Sequence, residues 1–154
     1  MRERAEQHLN EAIAICREIA DRDGLGWHLG NLANLYFTQS QYARAVELHQ
    51  EAYDLSRNAS NRANQVASLA SLGMTRLQMG EHEQAVRLLL QSIDMNRELI
   101  ERARTRGSEA DLLPLQAGAA RSHSHLSEAL SALGRYDEAI AHSEAGLELI
   151  RVVG

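Results

Sequence analysis

Lysine is absent from this sequence, cysteine and proline occur once each, and aromatic residues make up 4% of it. A single cysteine, Cys16, excludes an internal disulfide. So few aromatics, with one proline at Pro114, argue against a β-sandwich or barrel and for helices. No apolar run approaches the ~20 residues that a membrane-spanning helix needs. Met1 to Arg4 leads into an amphipathic pattern without an apolar signal core, so no secretion signal is read and a cytoplasmic setting is expected. The net charge of −5 gives no broad basic footprint for nucleic acid. All 16 basic residues are arginine, a bias of composition that carries no mechanistic weight.

Signatures of catalysis and metal binding are missing too. No phosphate-binding Gly-Lys-Ser/Thr loop, Gly-x-Ser-x-Gly elbow, His-Glu-x-x-His or cysteine pair occurs. Of seven histidines, His123 and His125 stand two apart and so face different ways on a helix. His8, His28, His49, His82 and His142 fall at unrelated positions. Cys16, with Ile13, Ile15 and Ile19 nearby, reads as a small buried hydrophobe without an activating base. The acidic residues are spread, and none forms a pair suited to acid–base work. The chain is read as non-enzymatic, with no cofactor and no metal.

What remains is 154 residues, 44% hydrophobic and 24% charged, the size and balance of one ordinary domain. Its order lies in repetition. Leu32-Ala33-Asn34-Leu35-Tyr36 recurs 40 residues on as Leu72-Gly73-Met74-Thr75-Arg76, and Ser40, Ala45, Val46, Leu48 and Arg57 recur as Gly80, Ala85, Val86, Leu88 and Arg97. A third copy carries Leu126-Ser127, Gly134 and Ala139, with 14 extra residues before it. Ala5, Leu9 and Ala12 match half a copy, so Arg2 to about Ala20 reads as the second helix of a hairpin whose first helix is missing. The chain is therefore expected to be cut from a longer protein.

Each copy divides into two amphipathic stretches, such as Leu29, Leu32, Ala33, Tyr36 and then Ala45, Val46, Leu48, Ala52. Ala33, Gly73 and Ser127 on the first helix, and Ala45, Ala85 and Ala139 on the second, are small enough for close helix approach. Gly80 and Gly134 suit a left-handed turn, a slot that Ser40 fills in the first copy. The predicted helices are roughly 3–20, 24–38, 41–57, 61–79, 81–104, 112–133 and 135–152. The insertion equals about four turns at 3.6 residues each. Shared between two flanking helices, it predicts one longer hairpin bent near Thr105 to Asp111, with Pro114 in the first turn of the next helix. The alternative for 98–115 is a disordered loop.

These residues resemble the tetratricopeptide repeat family, whose common period is ~34. The period of 40, with Gly30-Asn31-Leu32-Ala33-Asn34 and Ala45-Val46-Glu47-Leu48-His49, is similar to a longer-repeat branch. That branch includes Leu-Gly-Asn-repeat adaptors and the arrays of bacterial regulators and signalling ATPases. The resemblance implies an all-α, right-handed superhelix of about seven antiparallel helices, with first helices lining a concave groove. The expected division is 1–22 (the half repeat), 23–60, 61–106 with an extended second helix, and 107–154 with an extended first helix.

Carried onto this sequence, the family's groove positions are Trp27, Gly30, Asn34, Phe37 and Thr38 in the first copy. In the second they are Ala67, Ala70, Met74, Leu77 and Gln78, and in the third Arg121, Ser124, Glu128, Ser131 and Ala132. Asn34 is the sharpest candidate, since an amide offers both donor and acceptor to a ligand backbone. Of the aromatic pair, Trp27 is read as core and Phe37 as groove. The family's carboxylate clamp needs Lys and Arg in the groove, and this chain offers only Arg121 there. Arg97, Arg102, Arg104 and Arg106 read as a solvated helix end, with docking of an acidic segment or phosphate as the alternative. The function expected is binding of a protein or peptide in the groove, within a larger regulatory or scaffold protein. Alternatives are homodimerisation through the uncovered terminal helices, including Leu147, Leu149, Ile150, Val152 and Val153, and effector sensing for a bacterial regulator.

Overall fold

The computed structural model describes residues 2–151, with side chains from 3 onward. Val152 and Val153 of the apolar C-terminal stretch lie outside the described residues. Seven helices follow one another: α1 Arg2–Glu18, α2 Arg22–Thr38, α3 Tyr42–Asn58, α4 Arg62–Gln78, α5 His82–Arg106, α6 Glu109–Ala132 and α7 Tyr136–Arg151. Each packs on the next, and α2, α4 and α6 also lie side by side. The array is all-α, in sequential antiparallel pairs.

The turns show why the helices stop where they do. Ala20, Ser40, Ser60, Gly80, Gly107 and Gly134 each adopt a left-handed backbone, with φ between 55° and 77°. At each turn the next residue's N–H returns to a carbonyl five residues back, as in Gln41 to Tyr36 at 2.9 Å and Glu81 to Arg76 at 3.0 Å. This closure satisfies carbonyls that the helix end leaves unpaired. Asp21 and Asn61 cap the following helices by accepting from the Gly24 and Asn64 N–H groups, at 3.0 and 3.1 Å.

Residues 98–115 form the tip of a long hairpin. α5 has 25 residues and α6 has 24, against 17 in each of α1 to α4, and the chain turns at Gly107-Ser108. One expectation fails here: Pro114 lies in the second turn of α6, because the helix starts at Glu109 rather than near residue 112. Glu109 and Asp111 favour the early start by placing negative charge against the helix N-terminus. The cost is one backbone hydrogen bond that the proline nitrogen cannot give.

Packing follows the small positions. Ala33, Ala45 and Ala85 are fully buried. A Cβ on Gly73 would come within 2.6 Å of Leu89 Cγ, so the absent side chain sets how closely α4 approaches α5. Cys16 is buried with Ile13, Leu25 and Leu29. Ile15 and Ile19 are exposed, contrary to the apolar face drawn around Cys16: Ile15 lies off the face that positions 13 and 16 share, and Ile19 lies in the turn beyond the end of α1.

Candidate binding clefts between the first helices

Side-by-side first helices leave a cleft between each pair, floored by the helix that connects them. The cleft between α4 and α6, floored by α5, encloses about 780 Å³. Ala63, Val66, Ala70 and Met74 of α4 face Pro114, Leu115 and Gly118 of α6, and Leu99 and Ala103 of α5 lie between them. The smaller cavity, between α2 and α4 above α3, is about 190 Å³. Asn34, Ala67 and Ser71 line both, so the two form one continuous surface.

Seven of the groove positions named from the sequence meet there, Trp27 and Gly30 at the smaller cavity and Ala67 at both. Asn34 borders both clefts, and Ala70, Met74 and Arg121 line the larger. Other candidates lie elsewhere. Phe37 packs its ring on Tyr42, 5.4 Å between centroids. Thr38 donates its hydroxyl to the Leu35 carbonyl at 2.7 Å. Gln78, Ser124 and Glu128 are exposed but border neither cleft. Leu77 is a correction: it is 5% exposed and belongs to a core cluster with Leu89 and Leu126. Positions 67, 70 and 74 form the i, i+3, i+4 stripe facing the cleft, whereas 77 follows 73 onto the α5 side.

Trp27 is a second correction. It is 65% exposed and stands at the rim of the smaller cavity, not in the core. The α2 core face is Leu25, Leu29, Leu32 and Ala33. Trp27 falls between Gly26 and Gly30 on the other face, so helical register overrides its hydrophobicity.

The arginines also sort differently from the sequence reading. Arg97 pairs with Asp94, and Arg104 pairs with Glu101 at 2.7 Å. Arg102 and Arg106, one turn apart on the extended part of α5, line the larger cleft with Arg121. None of these three has an ion-pair partner among the described residues, and Asp111 is the one acidic residue on the cleft wall. His125 shares that wall, and burial holds it below the ordinary imidazole range; Glu128 opposes that and Arg121 reinforces it. The signal was present as Asn96, Leu99, Arg102, Ala103 and Arg106 at helical spacing, but it needed the helix to continue that far.

The sequence reading also missed a histidine contact. His123 Nδ1 and His142 Nδ1 are 3.0 Å apart across α6 and α7. Among the described residues no group of three or more His, Cys, Asp or Glu side chains is placed to hold a metal ion. Likewise, no described helix is long and apolar enough to cross a membrane.

Comparison with known proteins agrees with this architecture. A tetratricopeptide repeat family model matches residues 2–58 and 36–98, and a second tetratricopeptide repeat model matches 120–152. No curated protein matches the chain. Among solved structures, BtubC (BKLC) from P. vanneervenii is similar at 15% identity and a TM-score of 0.56, over 99% of this chain and 74% of that one. A Podosopora anserina protein of kinesin light chain type, with nearly identical TPR-like repeats, is similar at 18% identity and a TM-score of 0.54, over 99% and 88%. At these identities the likeness is one of fold.

Proposed function

Because the chain belongs to the tetratricopeptide repeat family, in which repeats generally serve as protein-interaction modules and are typically non-catalytic, we propose that it binds a segment of another protein along the larger cleft, with acidic side chains of that segment set against Arg102, Arg106 and Arg121. The observation that carries this reading is the grouping of three arginines beside an apolar floor with a single acidic neighbour. An arginine without a partner gains most from a carboxylate it can meet with two parallel N–H bonds. The apolar α4 wall of Ala63, Val66, Ala70 and Met74, with Leu99 on the α5 floor, suits apolar side chains of the same segment. The preformed helices lose little entropy when it docks. Such a module fits a regulator or scaffold as its parent protein.

Selection from a random peptide display library tests the reading. Enriched peptides are expected to pair at least two Asp or Glu with neighbouring apolar residues. Their binding should weaken as salt rises and be lost in an Arg102→Ser, Arg106→Ser, Arg121→Ser variant that keeps its helical circular dichroism. Enrichment without acidic residues, or equal binding by the variant, removes the proposal.

A further inference from the structure

The smaller cavity poses a separate question, because its floor holds a buried polar side chain with nothing to bond. His49 is 2% exposed, and its Nε2 has no hydrogen-bond partner among the described residues. Such a group is costly to bury unpaired. His49 is among the residues that line the cavity. We propose that this cavity, between α2, α3 and α4, is a binding site for a carboxamide group, with His49 Nε2 as its central hydrogen-bonding partner.

Size points to a small group. At about 190 Å³ the cavity equals the share of roughly six liquid waters, and it falls below the usual range of drug-sized or cofactor sites. The wall chemistry narrows the class. Asn31, Asn34 and Asn64 present amides, and Ser68 and Ser71 present hydroxyls. Each of these groups can both donate and accept, as a carboxamide does. A carboxylate would offer acceptors alone. Burial lowers the pKa of His49 to about 4, so the imidazole stays neutral, and Arg22 and Asp23 on the same wall carry opposite charges, so the lining gives a carboxylate no net countercharge.

The shape of α2 adds an independent observation. Gly26 and Gly30 both line the cavity, and a Cβ at either would meet nothing within 4 Å. Packing therefore does not require glycine there, although glycine weakens a helix relative to alanine. What the two glycines do is keep the cavity open beside α2. Trp27, between them, puts a flat apolar wall at the entrance. The carboxamide could belong to free glutamine or to a glutamine side chain of a docked segment. The free form needs no partner protein, so the site stands or falls apart from the arginine cleft.

Trp27 is the chain's single tryptophan and reports on the site by its own emission. The probes are L-glutamine, acetyl-glutamine-methylamide and acetyl-norleucine-methylamide, titrated while Trp27 fluorescence and the thermal midpoint are followed. At least one glutamine probe is expected to bind saturably, and the norleucine probe at least about tenfold more weakly, since it leaves the buried polar groups unpaired. Binding of free glutamine would mark a small-molecule site, and binding of the blocked form alone would mark a subsite for a docked chain. His49→Leu should weaken binding at least about tenfold, with partial rescue by His49→Gln. Gly30→Leu fills the cavity from a position that the fold does not need, and should abolish binding even where His49 variants fold poorly. No saturable response to either glutamine probe, equal binding of the norleucine probe, or undiminished binding by a folded Gly30→Leu protein would each overturn the proposal.

Discussion

Three turns rest on residues that pay a conformational penalty for their position. Ala20, Ser40 and Ser60 hold left-handed φ values of 57°, 58° and 55°, where the equivalent later turns use glycine. For a side chain with a Cβ this conformation costs ~1–2 kcal/mol, partly offset by the extra unfolded-state entropy of glycine. Ser60→Gly, at an exposed site, should therefore raise unfolding stability by about 0.5–1 kcal/mol, read from urea midpoints at unchanged m-value. His49 sets a second expectation. Its folded pKa, about 4, lies below the ordinary 6.5 because burial disfavours the charged ring. Its contribution to stability is full above pH 6.5. It is lost as pH falls from 6.5 towards 4, where the unfolded chain takes up a proton and the folded chain does not. The loss should approach about 2–3 kcal/mol in urea unfolding at pH 4.5 against pH 7, and His49→Gln should flatten most of that slope. Burial lowers His123 and His142 in the same direction, so some slope survives.

Among the elements, α4 and α5 meet most tightly where Gly73 faces Leu89, which is fully buried. Alanine at 73 would gain helix propensity of ~1 kcal/mol but press a Cβ into Leu89. Because the leucine has no room to retreat, Gly73→Ala should destabilise by a net ~1–2 kcal/mol. A double variant with Leu89→Ala should recover the alanine penalty, which a thermodynamic cycle measures directly. This contact was legible in the sequence, since Ala33, Gly73 and Ser127 recur at one repeat position. Helix number, turn positions and the long hairpin were legible for the same reason: apolar spacing and turn residues are local signals. The misreadings were all of register or reach. Leu77 and Trp27 each sit beside the stripe that defines their helix face, so hydrophobicity or a neighbour's role misplaced them. Arg102 and Arg106 enter the cleft only because α5 continues as far as Arg106, and the pairing of His123 with His142 depends on how α6 crosses α7.

For the whole molecule, the pattern of packing matters more than the sum of contacts. One core cluster joins α1, α2 and α3 through Ile13, Leu29 and Ala52, and another joins α4 to α7 through Leu77, Leu89, Leu126 and Ala139. Nothing ties α7 directly to α1–α3 among the described residues. Stability in such an array is close to a sum of units and nearest-neighbour interfaces, so local damage stays local. Gly146 offers a place to test this. A Cβ there would lie 3.2 Å from His123 Cβ and 3.3 Å from the Ala120 carbonyl oxygen, so Gly146→Leu should push α7 away from α6. Amide hydrogen exchange is expected to quicken throughout α7 and on the α6 face it covers, while α2, α3 and α4 keep their protection. If exchange instead rose equally from α1 to α7, the chain would unfold as one cooperative body. The binding cleft would then lose its floor whenever the C-terminal hairpin opened. With segmental behaviour, the smaller cavity survives that opening, and a ligand there would stabilise α2–α4 without protecting α7.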